Sequence, residues 1–112
     1  MGNKRIGMIG EEAAAMFLEE NGYRLVRRNY RCKVGEIDII ASKGSVLCFA
    51  EVKTRQNFNY GRPCESITEE KKKHMRKAAQ SYLDEVRIGG FRPAKIRFDV
   101  IEIVVEHTRG AF

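Results

Sequence analysis

Cysteine is scarce in this chain and does not follow a metal-binding or disulfide pattern. The three cysteines, Cys32, Cys48 and Cys64, are odd in number, and none forms a Cys-x-x-Cys pair. This count and spacing argue against both a disulfide framework and a zinc site. Cys48 lies inside an apolar run and is interpreted as a small core residue. Reduced thiols predict a cytoplasmic location.

The sequence also lacks a long apolar run, an apolar signal region after Met1, an internal repeat and a low-complexity tract. A membrane-spanning helix needs about 20 consecutive apolar residues, so we expect no membrane partner. With 112 residues, the chain is expected to form one domain, residues 1–112, with a single core.

Basic residues, in contrast, are abundant. The chain has 21 lysine and arginine residues and 15 aspartate and glutamate residues, which gives a formal net charge of +6. A basic surface beside an acidic cluster favours a polyanionic partner held near a metal. Basic charge alone is weak support, because many soluble proteins share it.

Two apolar runs, 35–41 and 46–55, predict a β-hairpin, because a polar, glycine-containing turn lies between them. Side chains at positions i and i+2 of a strand point to the same face. Glu51 therefore shares a face with Lys53. The hairpin can bring Asp38, Glu51 and Lys53 together at one end of a sheet.

This acidic cluster suits a divalent metal. Two carboxylates held close repel each other, and one gains a raised pKa unless a cation lies between them. Magnesium prefers oxygen ligands, often one or two carboxylates. Lys53 would then orient water or stabilise developing negative charge. The alternative, equally compatible with the spacing, is a solvated edge hairpin with an exposed Glu–Lys pair.

Residues 3–21 predict a helix with two apolar stripes. The glycines of the small-residue stripe indicate a close backbone approach, by the sheet or by a substrate. Glu11 lies on that stripe's face and could be a third acid for the metal. By spacing alone, a glutamate that complements the helix dipole is the favoured interpretation. One stripe comprises Ile6, Ile9, Ala13, Met16 and Phe17, and the small-residue stripe comprises Gly7, Gly10, Ala14 and Leu18.

Basic side chains are concentrated in a predicted strand at 23–30, which leads to the acidic hairpin without an intervening acid. Arginines interleaved with tyrosines suit phosphate contacts and base stacking, and a solvated sheet face is the alternative. In the second predicted helix, Lys71 lies one turn before Met75, in line with the apolar stripe. The residues predicted to contact nucleic acid are Arg24, Arg27, Arg28, Arg55, Lys71 and Lys72.

The second half of the chain predicts a loop, a helix and a strand. Residues 56–63 combine polar residues with glycine and proline and predict an ordered or mobile flap. Ser66 or Thr68 can cap the helix that follows. The nearly continuous apolar run at 95–106 predicts a central strand covered on both faces. Asp99, which interrupts this run, is interpreted as a paired residue.

The order helix, strand, hairpin, helix, strand, with Asp and Glu-x-Lys on the hairpin, resembles the PD-(D/E)XK nuclease fold. More narrowly, the chain resembles the YraN family of bacterial endonuclease-like proteins over about residues 6–103. That family is similar in plan to archaeal Holliday-junction resolvases. The matching segments include Gly7-x-x-Gly10-Glu11, Gly35–Ile40, Glu51–Arg55, Lys71 and Arg97–Ile101.

The resemblance implies an α/β fold with a restriction-endonuclease-like mixed β-sheet flanked by two helices. It implies a metal-dependent endonuclease that hydrolyses phosphodiester bonds in DNA, with branched DNA as one candidate substrate. Asp38 and Glu51 would hold Mg²⁺ or Mn²⁺, and Lys53 would assist the nucleophile. Glu11 matches the family's acid on the N-terminal helix, so it becomes a candidate catalytic residue and metal ligand. Ile37 stands where the superfamily name has proline.

Two further expectations remain open at the level of sequence. The first is an alternative function, a non-catalytic nucleic-acid-binding module of the same fold, because the superfamily contains such members. The second is a homodimer, which would suit the cutting of two strands in branched DNA. That expectation rests on analogy alone.

Overall fold

Six regular elements form the part of the chain that the computed structural model describes, residues 3–56 and 67–112. The predicted flap beyond Gln56, the possible cap Ser66 and Cys64 lie outside the described residues. None of the described helices is long and apolar enough to cross a membrane. The elements are α1 (Asn3–Glu20), β1 (Arg24–Cys32), β2 (Gly35–Lys43), β3 (Val46–Arg55), α2 (Glu69–Ile88) and β4 (Lys95–Val104).

The strands form one four-stranded sheet in the order β1-β2-β3-β4. The β1–β2 and β2–β3 pairs are antiparallel, whereas β3 and β4 are parallel. A parallel neighbour requires a crossover, and α2 lies in that connection. The predicted hairpin is confirmed as β2 and β3, and Gly44 in its turn has the left-handed φ of 61° that glycine tolerates best. The α/β class and the mixed sheet with two helices are therefore confirmed.

The sheet separates two hydrophobic cores, where the sequence led us to expect one. Alternation along β3 explains the division, because Leu47 and Phe49 face α2 while Cys48 and Ala50 face α1. The α2-side core comprises Tyr30, Ile37, Ile40, Leu47, Phe49, Ala78, Ala79 and Tyr82, and the α1-side core comprises Ala14, Ala15, Leu18, Ile39, Ala41, Cys48 and Ala50.

The small-residue stripe of α1 packs on the sheet. Gly10, Ala14 and Leu18 are buried, and a Cβ placed on Gly10 would lie 1.8 Å from Thr54 Oγ1. The predicted close approach is therefore confirmed at Gly10. At Gly7 an added Cβ would meet nothing within 4 Å, so the described part of the sheet does not approach closely there, and an approach by a substrate stays a prediction.

The larger apolar stripe of α1 and much of β4 face solvent. Ile9, Met16 and Phe17 are exposed. The prediction of a central, doubly covered strand at 95–106 is wrong, because β4 lies at the sheet edge and, among the described residues, pairs only with β3. Phe98 and Val100 accordingly remain partly exposed.

Local polar contacts fix the ends of these elements. Thr68, one of the two caps considered, is the N-cap of α2, and its Oγ1 accepts a hydrogen bond from the Lys71 amide at 3.0 Å. Asp99 is paired, as predicted: Arg97 donates to its two carboxylate oxygens at 2.8 and 2.7 Å. The buried Cys48 thiol also donates to Asp99, and burial raises the pKa of Cys48 to about 12. Cys48 is thus a buried, protonated thiol in the core, as the sequence predicts.

Candidate active site

Strands β2 and β3 separate at the end of the sheet where the predicted acids lie. Their pairing runs from Lys43 and Val46 to Ile39 and Ala50. Beyond that point, the Val52 amide donates a hydrogen bond to Asp38 Oδ2 at 2.8 Å. The Asp38 carboxylate is therefore fixed in the gap between two strands by the backbone of the neighbouring strand.

A kink in β1 and β2 accompanies this separation. Ile37 packs in the α2-side core and Ile39 in the α1-side core, although residues two apart in a regular strand share a face. Asn29, between the residues that pair with Ile37 and Ile39, has a left-handed φ of 52°. Asparagine tolerates this conformation better than most residues. Because Ile37 and Ile39 pack on opposite faces of the sheet, Asp38 lies at the point of β2 where the buried side chains change from the α2 side to the α1 side.

Glu51 is the only charged residue in the buried class among the described residues, with 8 % of its surface exposed. Its Oε2 lies 3.5 Å from Lys71 Nζ and has no well-formed hydrogen bond within the described part of the chain. Burial raises the pKa of Glu51, and the charge of Asp38 raises it further, while Lys71 opposes the shift. The pKa of Asp38 is also raised, again mainly by burial.

Two lysines balance these two acids. Lys53 follows Glu51 by two residues on β3, and its charge acts on both Glu51 and Asp38, lowering their pKa values. Lys71, on the first turn of α2, does the same. The structure therefore brings Asp38, Glu51 and Lys53 together, as the sequence predicts, and adds Lys71 to them.

Glu11 approaches the same strand end from α1. Burial raises its pKa, and so does the charge of Asp38, while Arg28 and Arg31 lower it. The close contact of Gly10 with Thr54 explains this position, since it brings α1 onto the end of β3. No three His, Cys, Asp or Glu side chains in residues 3–56 and 67–112 form a ready-made metal cluster. The role of Glu11 as a third ligand stays a prediction.

The donor chemistry of Asp38 and Glu51 fits a divalent cation. Both are carboxylates with raised pKa values, and a nearby cation would favour their ionised forms. Glu51 Oε2 is buried without a hydrogen bond from any described residue, although most buried polar atoms have one. A hard cation such as Mg²⁺ takes such oxygens as ligands.

The six cations predicted to contact nucleic acid do not form one patch. Arg27 pairs with Glu85 at 3.7 Å on the α2 side, and Arg28 pairs with Glu12 at 2.8 Å on the α1 side. Arg24 lies opposite Ser42, at the other end of β2 from Asp38. The remaining contacts are Lys71 with Glu51, Lys72 with Glu69, and Arg55 with Glu102.

Residues 10–103 match the family model described as uncharacterised protein family UPF0102. The chain belongs to the UPF0102 family. Similar members include the UPF0102 protein of Clostridium kluyveri, 47 % identical over 91 % of this chain and 81 % of its own. Those of Alkaliphilus metalliredigens and Dictyoglomus turgidum are 41 % and 43 % identical, over 92 % and 94 % of this chain and 88 % and 86 % of theirs.

One acid of this UPF0102 chain was missed by the reading of its sequence. The Glu102 side chain on β4 is only 7 % exposed, and its Oε1 accepts a hydrogen bond from Arg55 Nε. Glu102 is the parallel-strand neighbour of Lys53, and its Oε2 has no hydrogen-bond partner among the described residues. The sequence signal for Glu102 is its place as the lone acid in the apolar run 100–105.

Proposed function

We propose that this UPF0102 protein is a metal-dependent endonuclease that hydrolyses phosphodiester bonds in DNA, with Mg²⁺ or Mn²⁺ as cofactor. The observation that carries the proposal is the meeting of Asp38, Glu51 and Lys53 where β2 and β3 separate, with Glu51 Oε2 buried and lacking a hydrogen bond from any described residue. Most buried polar atoms have a hydrogen-bond partner, whereas this oxygen has only the 3.5 Å ion pair with Lys71 and lies beside a second acid, Asp38, whose charge also acts on Glu51.

The order of the elements supports the same reading. The chain runs helix, three antiparallel strands, helix and a parallel strand, and the acids lie on the second and third strands. This order resembles the plan of the PD-(D/E)XK nucleases, which the YraN-like motif also suggests. The cations of β1 and α2 and the net charge of +6 supply attraction for a polyanion.

In this mechanism Asp38 and Glu51 would hold the cation, and the chemistry it would supply is polarisation of a phosphoryl oxygen and neutralisation of the developing charge. The Val52 amide holds the Asp38 carboxylate in place through its hydrogen bond. Lys53 donates a hydrogen bond to the attacking water or to a phosphate oxygen as negative charge develops. Lys71 neutralises Glu51 before the cation binds.

Isosteric amides provide the test. Asp38→Asn keeps an oxygen that can accept the Val52 hydrogen bond, and Glu51→Gln keeps the shape of the buried side chain. We expect wild type to cut DNA with Mn²⁺, and we expect both variants to lose that activity. The exposed Glu70 provides a matched control, because Glu70→Gln should cut as wild type does. Duplex, single-stranded and branched DNA are assayed side by side.

A thermal-shift measurement separates metal binding from cleavage. A ligand at 100 times its Kd stabilises the folded state by about 2.7 kcal/mol, so Mn²⁺ should raise the Tm of wild type and not that of Asp38→Asn. Metal and DNA binding without cleavage of any substrate would favour the non-catalytic binding module. No Tm response in wild type would remove the metal from the proposal.

A further inference from the structure

The outer edge of β4 carries an apolar surface that no described residue covers. Ile96 is 42 %, Phe98 45 % and Val100 37 % exposed. Phe98 stacks on Phe49, with ring centroids 5.5 Å apart, so its inner side packs while its outer side remains open. Within the described residues β4 pairs only with β3. An open strand edge is a template for pairing with another strand.

The exposed stripe of α1 reaches the same edge. Phe17, which is 57 % exposed, lines one cavity with Phe98 and Val100. On the opposite face of the sheet, Met75 lines a second cavity with the same two β4 residues. The β4 edge is therefore bordered by apolar side chains on both faces of the sheet.

The sequence of β4 is complementary to itself in one antiparallel register. In a symmetric antiparallel pair, opposite residues point to the same face, and the residue on the two-fold axis meets its own copy. With Phe98 on the axis, Ile96 lies opposite the partner's Val100, and Arg97 lies opposite the partner's Asp99. One face of the new pair is then entirely apolar at its centre. On the other face, the Arg97–Asp99 ion pair of one chain lies beside the same ion pair of the partner, with opposite charges adjacent across the strands.

Neighbouring registers lack this complementarity. If the two-fold axis passes through Arg97, the two copies of Arg97 lie opposite each other. If it passes through Asp99, the two copies of Asp99 lie opposite each other. An axis at Ile96 places Arg97 opposite the partner's Lys95. An axis at Val100 places Phe98 opposite the partner's Glu102. Like charges directly opposite each other destabilise a strand pair, which disfavours the axes at Ile96, Arg97 and Asp99. The axis at Val100 sets charged residues against apolar ones at both positions beside its centre. Of these five axes, the one at Phe98 alone avoids both faults over residues 96–100.

We propose that two copies of this chain associate through β4, antiparallel about a two-fold axis at Phe98, to form a continuous eight-stranded sheet. The interface depends on the edge strand β4, and it is independent of the proposed nuclease activity. The backbone groups of β4 supply the ladder, and Ile96, Phe98 and Val100 supply the apolar contact.

Sedimentation velocity of the full chain tests the association. Wild type should sediment as a dimer at high micromolar concentration. Val100→Lys places an unpaired charge in the interface and should weaken association by roughly 100-fold or more. Ile88, which is 90 % exposed at the end of α2, provides the matched control, and Ile88→Lys should remain a dimer. A circular-dichroism melt of each variant confirms that it is folded.

Disulfide trapping tests the register. The double variant Ile96→Cys/Val100→Cys brings each new thiol opposite one from the partner, at a Cα separation of about 5 Å, which a disulfide can span. In each single variant the two new thiols lie about 13 Å apart along the strands, too far to bond. On a non-reducing gel the double variant should form a covalent dimer, and wild type and both single variants should not.

Three results would overturn the proposal. The first is a wild type that remains monomeric across the concentration range, which would mean that the edge of β4 binds a different protein or is exposed to solvent. The second is a Val100→Lys variant that dimerises as tightly as wild type. The third is equal cross-linking of the single and double variants, which would show random contact of thiols.

Discussion

At the scale of single residues, the surroundings of Glu51 disfavour the ionised form of its carboxyl group. Its carboxylate is buried beside Asp38, and both effects raise its pKa above the ordinary value of 4.5. Lys71 offsets this only in part, because its Nζ lies 3.5 Å away and is itself partly solvated. Such a group destabilises the metal-free protein whenever it is ionised.

This pKa shift predicts a pH dependence of stability with an unusual sign for a glutamate. The folded state holds the Glu51 proton more tightly than the unfolded state does, so this residue's contribution to stability falls as pH rises from 4.5 through the raised folded-state pKa. In a metal-free buffer, Glu51→Gln should therefore exceed wild type in Tm at neutral pH, and the difference should shrink towards pH 4.5.

The control for that measurement is Glu106→Gln, which removes an exposed charge outside the helices and strands and should leave the Tm nearly unchanged at each pH. A Glu51→Gln variant that is less stable than wild type at neutral pH would contradict the prediction. It would mean that Lys71 stabilises the ionised carboxylate more than burial and Asp38 destabilise it.

Lys53 gives the prediction that separates a nuclease from a binding module. The charge of Lys53 acts on Asp38 and Glu51, so Lys53 is placed to assist cleavage. Binding of DNA before cleavage does not depend on Lys53, because other basic side chains can contact the phosphates. Lys53→Ala should lower the single-turnover cleavage rate by about 10²–10³-fold, the usual effect of losing one preorganised donor. DNA affinity, measured by fluorescence anisotropy, should change little. Unchanged cleavage by the variant would point to another site or to a contaminating nuclease.

Sequence reasoning could find Asp38, Glu51 and Lys53 because hairpin geometry and alternate spacing place them together. It could not find the contact of Lys71 with Glu51, since that depends on how α2 docks after a long connection. Glu102 was missed because its apolar neighbours dominate the pattern of the run. The kink at Asn29 and Asp38 also has no simple sequence signal.

At the scale of elements, Gly10 determines how closely α1 lies over β3. A Cβ on Gly10 would lie 3.0 Å from Thr54 Cβ as well as within collision distance of its hydroxyl. Gly10→Ala should therefore cost about 1–3 kcal/mol in the free energy of unfolding, as overpacking does. Urea denaturation measures this cost.

Gly7, one turn earlier in α1, provides a matched control. It has open space where a Cβ would lie, so Gly7→Ala should stabilise the protein by up to about 1 kcal/mol through helix propensity. Equal effects of the two substitutions would mean that the contact between Gly10 and Thr54 does not limit the position of the helix.

The two apolar stripes of α1 illustrate a limit of periodicity. Both stripes recur at helical spacing, yet the stripe of Gly10, Ala14 and Leu18 is buried while Met16 and Phe17 are exposed. Close packing of a helix on a sheet favours small residues such as Gly10 and Ala14, and hydropathy alone does not rank these above methionine and phenylalanine. Likewise, the run in β4 is typical of a central strand, and β4 would become one in the proposed dimer.

At the scale of the whole molecule, several cations predicted to contact DNA are already paired with acids. Arg28 is paired with Glu12 and Arg27 with Glu85, whereas Arg24 is exposed and has no ion pair with a described residue. DNA affinity should fall with added salt, with a slope of roughly −0.9 per phosphate contacted. Arg24→Ala should reduce that slope by about 0.9.

The uncharged, exposed Gln80 gives the comparison for the salt titration, and Gln80→Ala should leave the slope as in wild type. An affinity that does not depend on salt, or no DNA binding at any salt concentration, would remove nucleic acid from the proposed function. An unchanged slope in Arg24→Ala would place the phosphate contacts elsewhere on the surface.

The change of face within β2 has a consequence for how the protein opens in the native state. Ile37 belongs to the α2-side core and Ile39 to the α1-side core, so the two faces of the sheet hold separate helices through separate sets of contacts. The α1 contacts involve small side chains, which bury less apolar area than the aromatic residues on the other face. Amide hydrogens of α1 should therefore exchange with deuterium through partial opening while those of α2 stay protected.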